Sequence, residues 1–364
     1  MMIGGPIEVR TLLPETAAGS PLAQLEHAFA SARGAIEALI GSARSRSKGR
    51  YLLAPEYFCF DSLGPVFARS GLELRLLPVD DRLTPDPGVW EEIAQAADRD
   101  GGVAAIVMVD YFGLREMDDA GAALRRAAPR AKLILDRVQA MFSLLGQGRP
   151  EWCDVAVYGL RKALPVSDGC LLVPDTAVRP TAPAPESAAA KHVGAAVVRG
   201  LAVQGGEIDH AVFLDAFDEA KAAIDTAGPA HMSAISKAVA RRFDLEEAAR
   251  RRRANFIALR NALPDAPGVE MLSTRWTDTA QAPGFMLVKL DARIRDAVRA
   301  GLASQAIYCP VHWPVQGMNA VSDRAAGLSR TLLSLPVDHR YGDSHMMRLA
   351  GSLKHAINTA TPVR

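Results

Sequence analysis

Two periods of apolar residues alternate along the first half of this chain. Runs that are apolar at every position are Tyr51-Leu52-Leu53-Ala54, Val103 to Val109, Leu133-Ile134-Leu135, Val155-Ala156-Val157-Tyr158 and Cys170-Leu171-Leu172-Val173. They are too short for helices and predict strands buried on both faces. Residues 72–80 (LELRLLPVD) alternate and predict a further strand. Between these runs, residues 89–100 and 117–130 space their apolar positions by three and four, the helical period. Strand, helix, strand in repetition predicts right-handed crossovers and a mainly parallel sheet. Ahead of it, residues 1 to about 20 read as an extended arm, Leu22 to Ile40 predicts a helix, and residues 42–50 read as a polar loop.

Beyond Val173 the pattern changes. Residues 174–190 are rich in Pro, Ala and Thr and predict a surface excursion. Helical spacing returns over 195–204, 211–224, 231–243 and 244–263. After Pro264, strands are predicted at 269–272, 285–290, 306–308 and 332–335, with helices at 293–305 and 343–358. A chain of 364 residues exceeds the size at which one core keeps growing. The expected division is an arm and large α/β lobe over 1–245, then an interlobe helix and a small α+β lobe over 246–364.

Charge and composition narrow the function classes. The formal net charge is +1, so no nucleic acid partner is expected. The run Arg250-Arg251-Arg252-Arg253 follows acids one or two turns earlier and reads as a solvated helix face. Cys59, Cys153, Cys170 and Cys309 lack metal-ligand spacing, as do the histidines, so no metal is expected. No charged segment leads into an apolar core at the N-terminus, and no apolar run approaches the ~20 residues of a membrane helix. A cytoplasmic protein without a membrane partner is the expectation. Neither GxGxxG nor GxxxxGK[ST] follows a strand.

The candidate chemistry lies between residues 132 and 173. One predicted strand ends on Asp136, and the next ends just before Gly159-Leu160-Arg161-Lys162. A carboxylate and an amine thus fall at the edge where open α/β sheets bind ligands. Pyridoxal 5'-phosphate (PLP) needs such a pair: a lysine for its aldehyde and a carboxylate for its pyridine nitrogen, with a phosphate cradle and a stacking side chain. Surface ion pairing is the rival reading of the same two residues. Ser31-Ala32-Arg33-Gly34-Ala35 would serve a phosphate if it opened a helix, although small residues are also tolerated inside one. The aromatic segment Glu56 to Phe60 offers rings for stacking or for a core. His312-Trp313 could contact a substrate or simply pack.

Several segments together resemble a known family. They are SARGAIEAL (31–39), residues 51–80 with their Pro-plus-aromatic turn, AAIVMVDYFGLREMDDAG (104–121), LILDRVQAMFSLLG (133–146), DVAVYGLRKALPVSDGCLLV (154–173), residues 231–259 and RTLLSLPV (330–337). In order and spacing they resemble the DegT/DnrJ/EryC1/StrS aminotransferases, which are fold-type I PLP enzymes. The resemblance spans roughly residues 25 to 355. It implies that Lys162 is the Schiff-base lysine, that Asp136 meets the pyridine nitrogen, and that Gln139 lies near the phenolic oxygen. Ser31, Ala32 and Arg33 fall at the phosphate cradle, and Gly159 borders the cofactor. The stacking ring is assigned to Tyr57 or Phe58, although strict register places Cys59 there. His312 and Trp313 fall in the part of the small lobe that approaches substrate. The implied protein is a homodimeric aminotransferase moving an amino group from an amino-acid donor to a small carbonyl acceptor such as a keto sugar or cyclitol.

This sequence also departs from the family's pattern. A hydroxyl residue often precedes the lysine by three or five positions, and here those positions hold Gly159 and Val157. The usual double glycine is Gly169-Cys170. Another PLP reaction (decarboxylation, elimination or replacement) or a sensor without turnover are the alternatives these departures leave open.

Overall fold

The computed structural model describes residues 3, 20–114, 117–145, 149–174, 176–203, 205, 208–263, 268–272, 282–315 and 322–360. Its strands are β1 (Tyr51–Pro55), β2 (Glu73–Leu77), β3 (Val103–Val109), β4 (Lys132–Asp136), β5 (Val155–Gly159), β6 (Cys170–Val173), β7 (Glu270–Met271), β8 (Phe285–Lys289) and β9 (Leu332–Pro336). The helices are α1 (Ala32–Arg46), α2 (Phe60–Arg69), α3 (Pro87–Gly101), α4 (Asp118–Ala127), α5 (Glu186–Val203), α6 (His210–Thr226), α7 (Ala234–Ala240), α8 (Leu245–Ala262), α9 (Arg295–Ala303), α10 (Asp323–Thr331) and α11 (Asp343–Ala360).

The first six strands form one sheet in the order β2-β1-β3-β4-β5-β6. Strands β1 to β5 pair in parallel, and β6 turns back antiparallel to β5. Each parallel strand is buried at nearly every position except β2, the edge strand, whose first residues are exposed. That is why the inner strands read as unbroken apolar runs and β2 as an alternating one. Order reverses between β1 and β3, which opens a crevice at the C-terminal ends of the parallel strands. A second sheet, β7-β8-β9, is antiparallel. The mixed α/β architecture with a separate small sheet is the one the sequence predicts.

Some boundaries differ, each for a physical reason. The helix expected from Leu22 begins at Ala32 and runs through the stretch read as a loop, to Arg46. Phe29 and Ala30 are drawn into extended pairing: the Phe29 N–H donates to the Cys170 carbonyl at 2.9 Å and the Ala30 N–H to the Ala230 carbonyl at 2.8 Å. Ser31 then caps the helix, its hydroxyl accepting from the Gly34 N–H at 3.1 Å. Helix α2 was hidden by its Gly64 and Pro65. Similarly, α7 is shorter than its apolar spacing, because Met232 pairs with the Ala28 carbonyl and Ser233 caps the helix. Residues 306–308 form no strand of the second sheet; Ile307 makes a single bridge with Ile3. Apart from Ile3 and Ser20, the predicted arm lies outside the described residues.

The core runs continuously beneath both sheets. Helices α5 and α6 pair as a hairpin with a small cluster of their own, Ala195, Ala196, Phe213 and Phe217. None of the described helices is long and apolar enough to cross a membrane.

Candidate active site

Asp136 ends β4, and its register partner on β5 is Val157. The chain leaves β5 at Gly159 and makes a single tight helical turn, Leu160–Lys162. That turn is fixed from below. The Leu160 N–H donates to the Gly169 carbonyl at 2.9 Å, and Gly169, at φ +132°, adopts a backbone conformation that other residues rarely tolerate. Asp168, fully buried, accepts from the Ser233 N–H at 2.8 Å and from the Ser233 hydroxyl at 2.7 Å. Asp168 thus anchors the segment whose Gly169 carbonyl holds the start of the Lys162 turn.

A cavity of about 210 Å³ opens at these strand ends. It brings together Ser31, Ala32, Arg33, Asp136, Gln139, Gly159, Lys162 and Trp313 from the sequence-predicted set. A larger cleft of about 920 Å³ lies beside the small sheet. Lys162 lines both; among the described residues no other does. The larger cleft carries Arg252, Arg295, Arg299 and Arg340 against Asp296 and Asp338, a positive surface.

The electrostatics follow from burial. Asp136 has its carboxyl raised to about 6, first because burial disfavours the ionised form and further by the charge of Asp110. The Val138 N–H, at 2.9 Å from Asp136 Oδ1, and Lys162 pull the other way. Lys162 is open to the cavities, yet the protein packed around it, and then the charge of Arg161, lower its amine. Asp110 is in turn paired in the interior, accepting from Arg137 Nε at 3.1 Å. Arg137 Nη1 donates to the Tyr158 hydroxyl at 2.9 Å.

No protein-family model matches the chain, and no curated protein matches it. Solved structures do. The PLP form of Spr1654 from Streptococcus pneumoniae, assigned as a sugar aminotransferase, superposes with a TM-score of 0.67 at 13% identity, covering 100% of both chains. The sugar aminotransferase CalS13 from Micromonospora echinospora gives 0.63 at 16% identity, over 96% of this chain and 99% of that one. A DegT DnrJ EryC1 StrS aminotransferase from Brucella abortus gives 0.63 at 19%, over 90% and 84%. The fold is that of the PLP-dependent sugar aminotransferases.

Within that fold two expectations need correction. Neither Tyr57 nor Phe58 lines the cavity; Cys59 does, as strict register has it. Tyr57 turns away because its hydroxyl is engaged, donating to the His312 carbonyl at 2.6 Å and accepting from the Trp313 N–H at 2.7 Å. Phe58 packs in the core against Phe60 and Phe67. Of the small-lobe pair, Trp313 borders the cavity and stacks on Phe112 at 5.9 Å between ring centroids. His312 lines neither cavity: its Nδ1 lies 2.9 Å from the Ser334 hydroxyl. Burial, helped by the charge of Lys162, lowers its imidazole to about 3 and keeps it neutral. The arginine run also divides. Arg250 and Arg251 pair with Glu247 as a solvated face does, whereas Arg252 is 3% exposed and lies over the Phe142 ring at 4.5 Å. Residues 250 to 253 are identical, so only the packing of α8 on the 141–145 turn separates Arg252 from its neighbours.

Sequence reasoning also missed Lys221 and Asp225 of α6, which reach the cavity. Their only signal is an i,i+4 pairing (2.9 Å) of the kind any exposed helix carries.

Proposed function

We propose that this chain is a PLP-dependent aminotransferase that transfers an amino group from an amino-acid donor to a small carbonyl acceptor, with a large lobe to residue 245 and a small lobe beyond. One observation carries the reading: Lys162 stands between two cavities, the smaller with Asp136 on its wall and the larger open toward the small sheet. A cofactor in the first and a substrate in the second would meet at its amine.

The residues present fit the group. Asp136 is a half-buried carboxylate whose pKa is raised because its surroundings disfavour the ionised form, and a protonated pyridine nitrogen would supply a partner charge. Gly159 leaves space beside Val138, since a Cβ there would come within 3.0 Å of Val138 Cγ1. Bound PLP supplies an electron sink for the donor's Cα–H electrons. Every other task falls to the chain. Asp136 would keep a proton on the ring nitrogen. Lys162 would hold the cofactor through its amine and, once the donor's amine had displaced it, would move a proton at the reacting carbon; its lowered pKa makes the neutral, nucleophilic amine accessible. Val138 and Trp313 give the cavity apolar walls. Four arginines in the larger cleft suit substrates bearing carboxylate or phosphate groups. DesI, solved with its TDP-sugar product, shares the fold at 21% identity and a TM-score of 0.59, which supports a nucleotide-linked keto sugar as acceptor.

The test is spectroscopic and chemical. Purified protein should take up PLP with a visible absorbance band, form a keto acid from an amino donor, and lose both in Lys162→Ala. Keto-acid formation surviving in that variant would sink the assignment of Lys162. A PLP-binding protein that decarboxylates or eliminates without forming a keto acid would sink transamination.

A further inference from the structure

Around Gly159 the small cavity departs from the pattern that the resemblance implies. No hydroxyl side chain stands three or five positions before Lys162. Gly159 could not supply one without displacing Val138, whose Cγ1 would lie 3.0 Å from the new Cβ. In that region the cavity is lined instead by Arg33, Arg161, Lys221 and Asp225. Asp225 draws three cations together: Lys221 Nζ at 2.9 Å, Arg161 Nη2 at 3.5 Å and Arg33 Nη2 at 3.7 Å. Arg33 Nη1 also donates to the Asp225 carbonyl at 2.9 Å. Its second terminal nitrogen, Nη2, donates to the Asp61 carbonyl at 3.2 Å. That carbonyl is free because the residue four positions on is Pro65, which has no N–H to give it.

We propose that the α5–α6 hairpin completes a phosphate site within the same chain: Lys221 and Arg161, with Arg33 and the N-terminus of α1, bind the cofactor's phosphate, and Asp225 positions the cations. The proposal rests on the PLP reading above. Charge favours it. Three cations against one carboxylate leave two positive charges, and a phosphate monoester carries about two negative ones. Asp61, also at the cavity, is exposed, as Lys221 is, so solvent screens both. Hydrogen bonding favours it independently. Arg33 Nε is buried with no partner, a donor that a ligand oxygen satisfies. The Ala32 and Arg33 N–H groups open α1 and have no acceptor within the helix, while Ser31 has already satisfied Gly34. Burial works against the ionised form of Asp225, but Arg161, Lys221 and Arg33 together hold its carboxyl below the usual range.

The test compares PLP with pyridoxal, which has the same ring and aldehyde but no phosphate. Affinities for both are measured by absorbance titration of the cofactor-free protein. Lys221→Ala and Arg161→Gln should each weaken PLP about tenfold, the worth of one charge-assisted hydrogen bond, and leave pyridoxal within about twofold. Lys221→Arg should restore most of the PLP affinity. The Lys221 side chain is 58% exposed, so its replacement leaves the fold intact, which circular dichroism verifies. Unchanged PLP affinity in Lys221→Ala overturns this proposal alone, and so does an equal loss for PLP and pyridoxal. Wild-type protein that takes up neither aldehyde overturns the cofactor reading and the proposal with it.

Discussion

Asp136 lies on the cavity wall with a single acceptor bond among the described residues, from the Val138 N–H to its Oδ1. Folding raises its pKa to about 6, above the roughly 4 of an unfolded aspartate. A raised carboxyl contributes stability only while protonated. The contribution is complete below about pH 4 and is lost as pH rises through about 6, so at neutral pH the ionised group costs the cofactor-free protein roughly 3 kcal/mol. Asp136→Asn, close to isosteric, should therefore stabilise the cofactor-free protein at pH 7, with little effect at pH 4, and abolish activity with PLP. Urea midpoints at the two pH values measure it. A lower midpoint at pH 7 would falsify the idea that Asp136 is held ready for a cation. Asp136 and Lys162 were legible in the sequence because each follows an unbroken apolar run, and such runs announce buried strands. Arg252 was not, because its burial depends on which face of α8 meets the 141–145 turn, and four consecutive arginines carry no information about that.

At the scale of elements, α1 shows where apolar spacing misleads. Leu22, Leu25 and Phe29 are fully buried, so they satisfy a helical spacing without forming a helix. What decides the boundary is the pairing of residues 29 and 30 with Cys170 and Ala230, a contact with partners more than a hundred residues away that no local window contains. The consequence is functional, since it moves the first turn of α1 to the cavity. Gly34 holds that turn against the segment 228–230: a Cβ there would fall 2.0 Å from the Gly228 carbonyl oxygen. Both partners are backbone, so neither can swing aside. Gly34→Ala should cost about 3 kcal/mol, read as a lower urea midpoint, and should weaken PLP uptake as the helix start is pushed away. An unchanged midpoint would show that the two segments separate easily. The strand boundaries of β1 and β3 to β6, by contrast, stand within one or two residues of the apolar runs, because burial on both faces leaves few alternatives.

For the whole molecule, the sheet order places four strand ends, those of β1, β3, β4 and β5, around one crevice, and no short-range pattern encodes that convergence. The crossover handedness and the reversal between β1 and β3 produce it. We also propose that the protein is a homodimer, as its resemblance implies. Val197, Leu201, Val212 and Leu214 on the α5–α6 hairpin leave large apolar surface exposed in the single chain, which supports it. Sedimentation equilibrium should return the mass of two chains; a single-chain mass at micromolar concentration would reject the dimer. Ile3 adds a structural point. Its N–H donates to the Ala306 carbonyl at 2.9 Å, its carbonyl accepts from the Tyr308 N–H at 2.7 Å, and its side chain is fully buried. Tyr308 and Cys309 form part of the rim of the larger cleft. Ile3 is therefore a fastening for that rim, and loss of its buried side chain would alter the shape of the larger cleft.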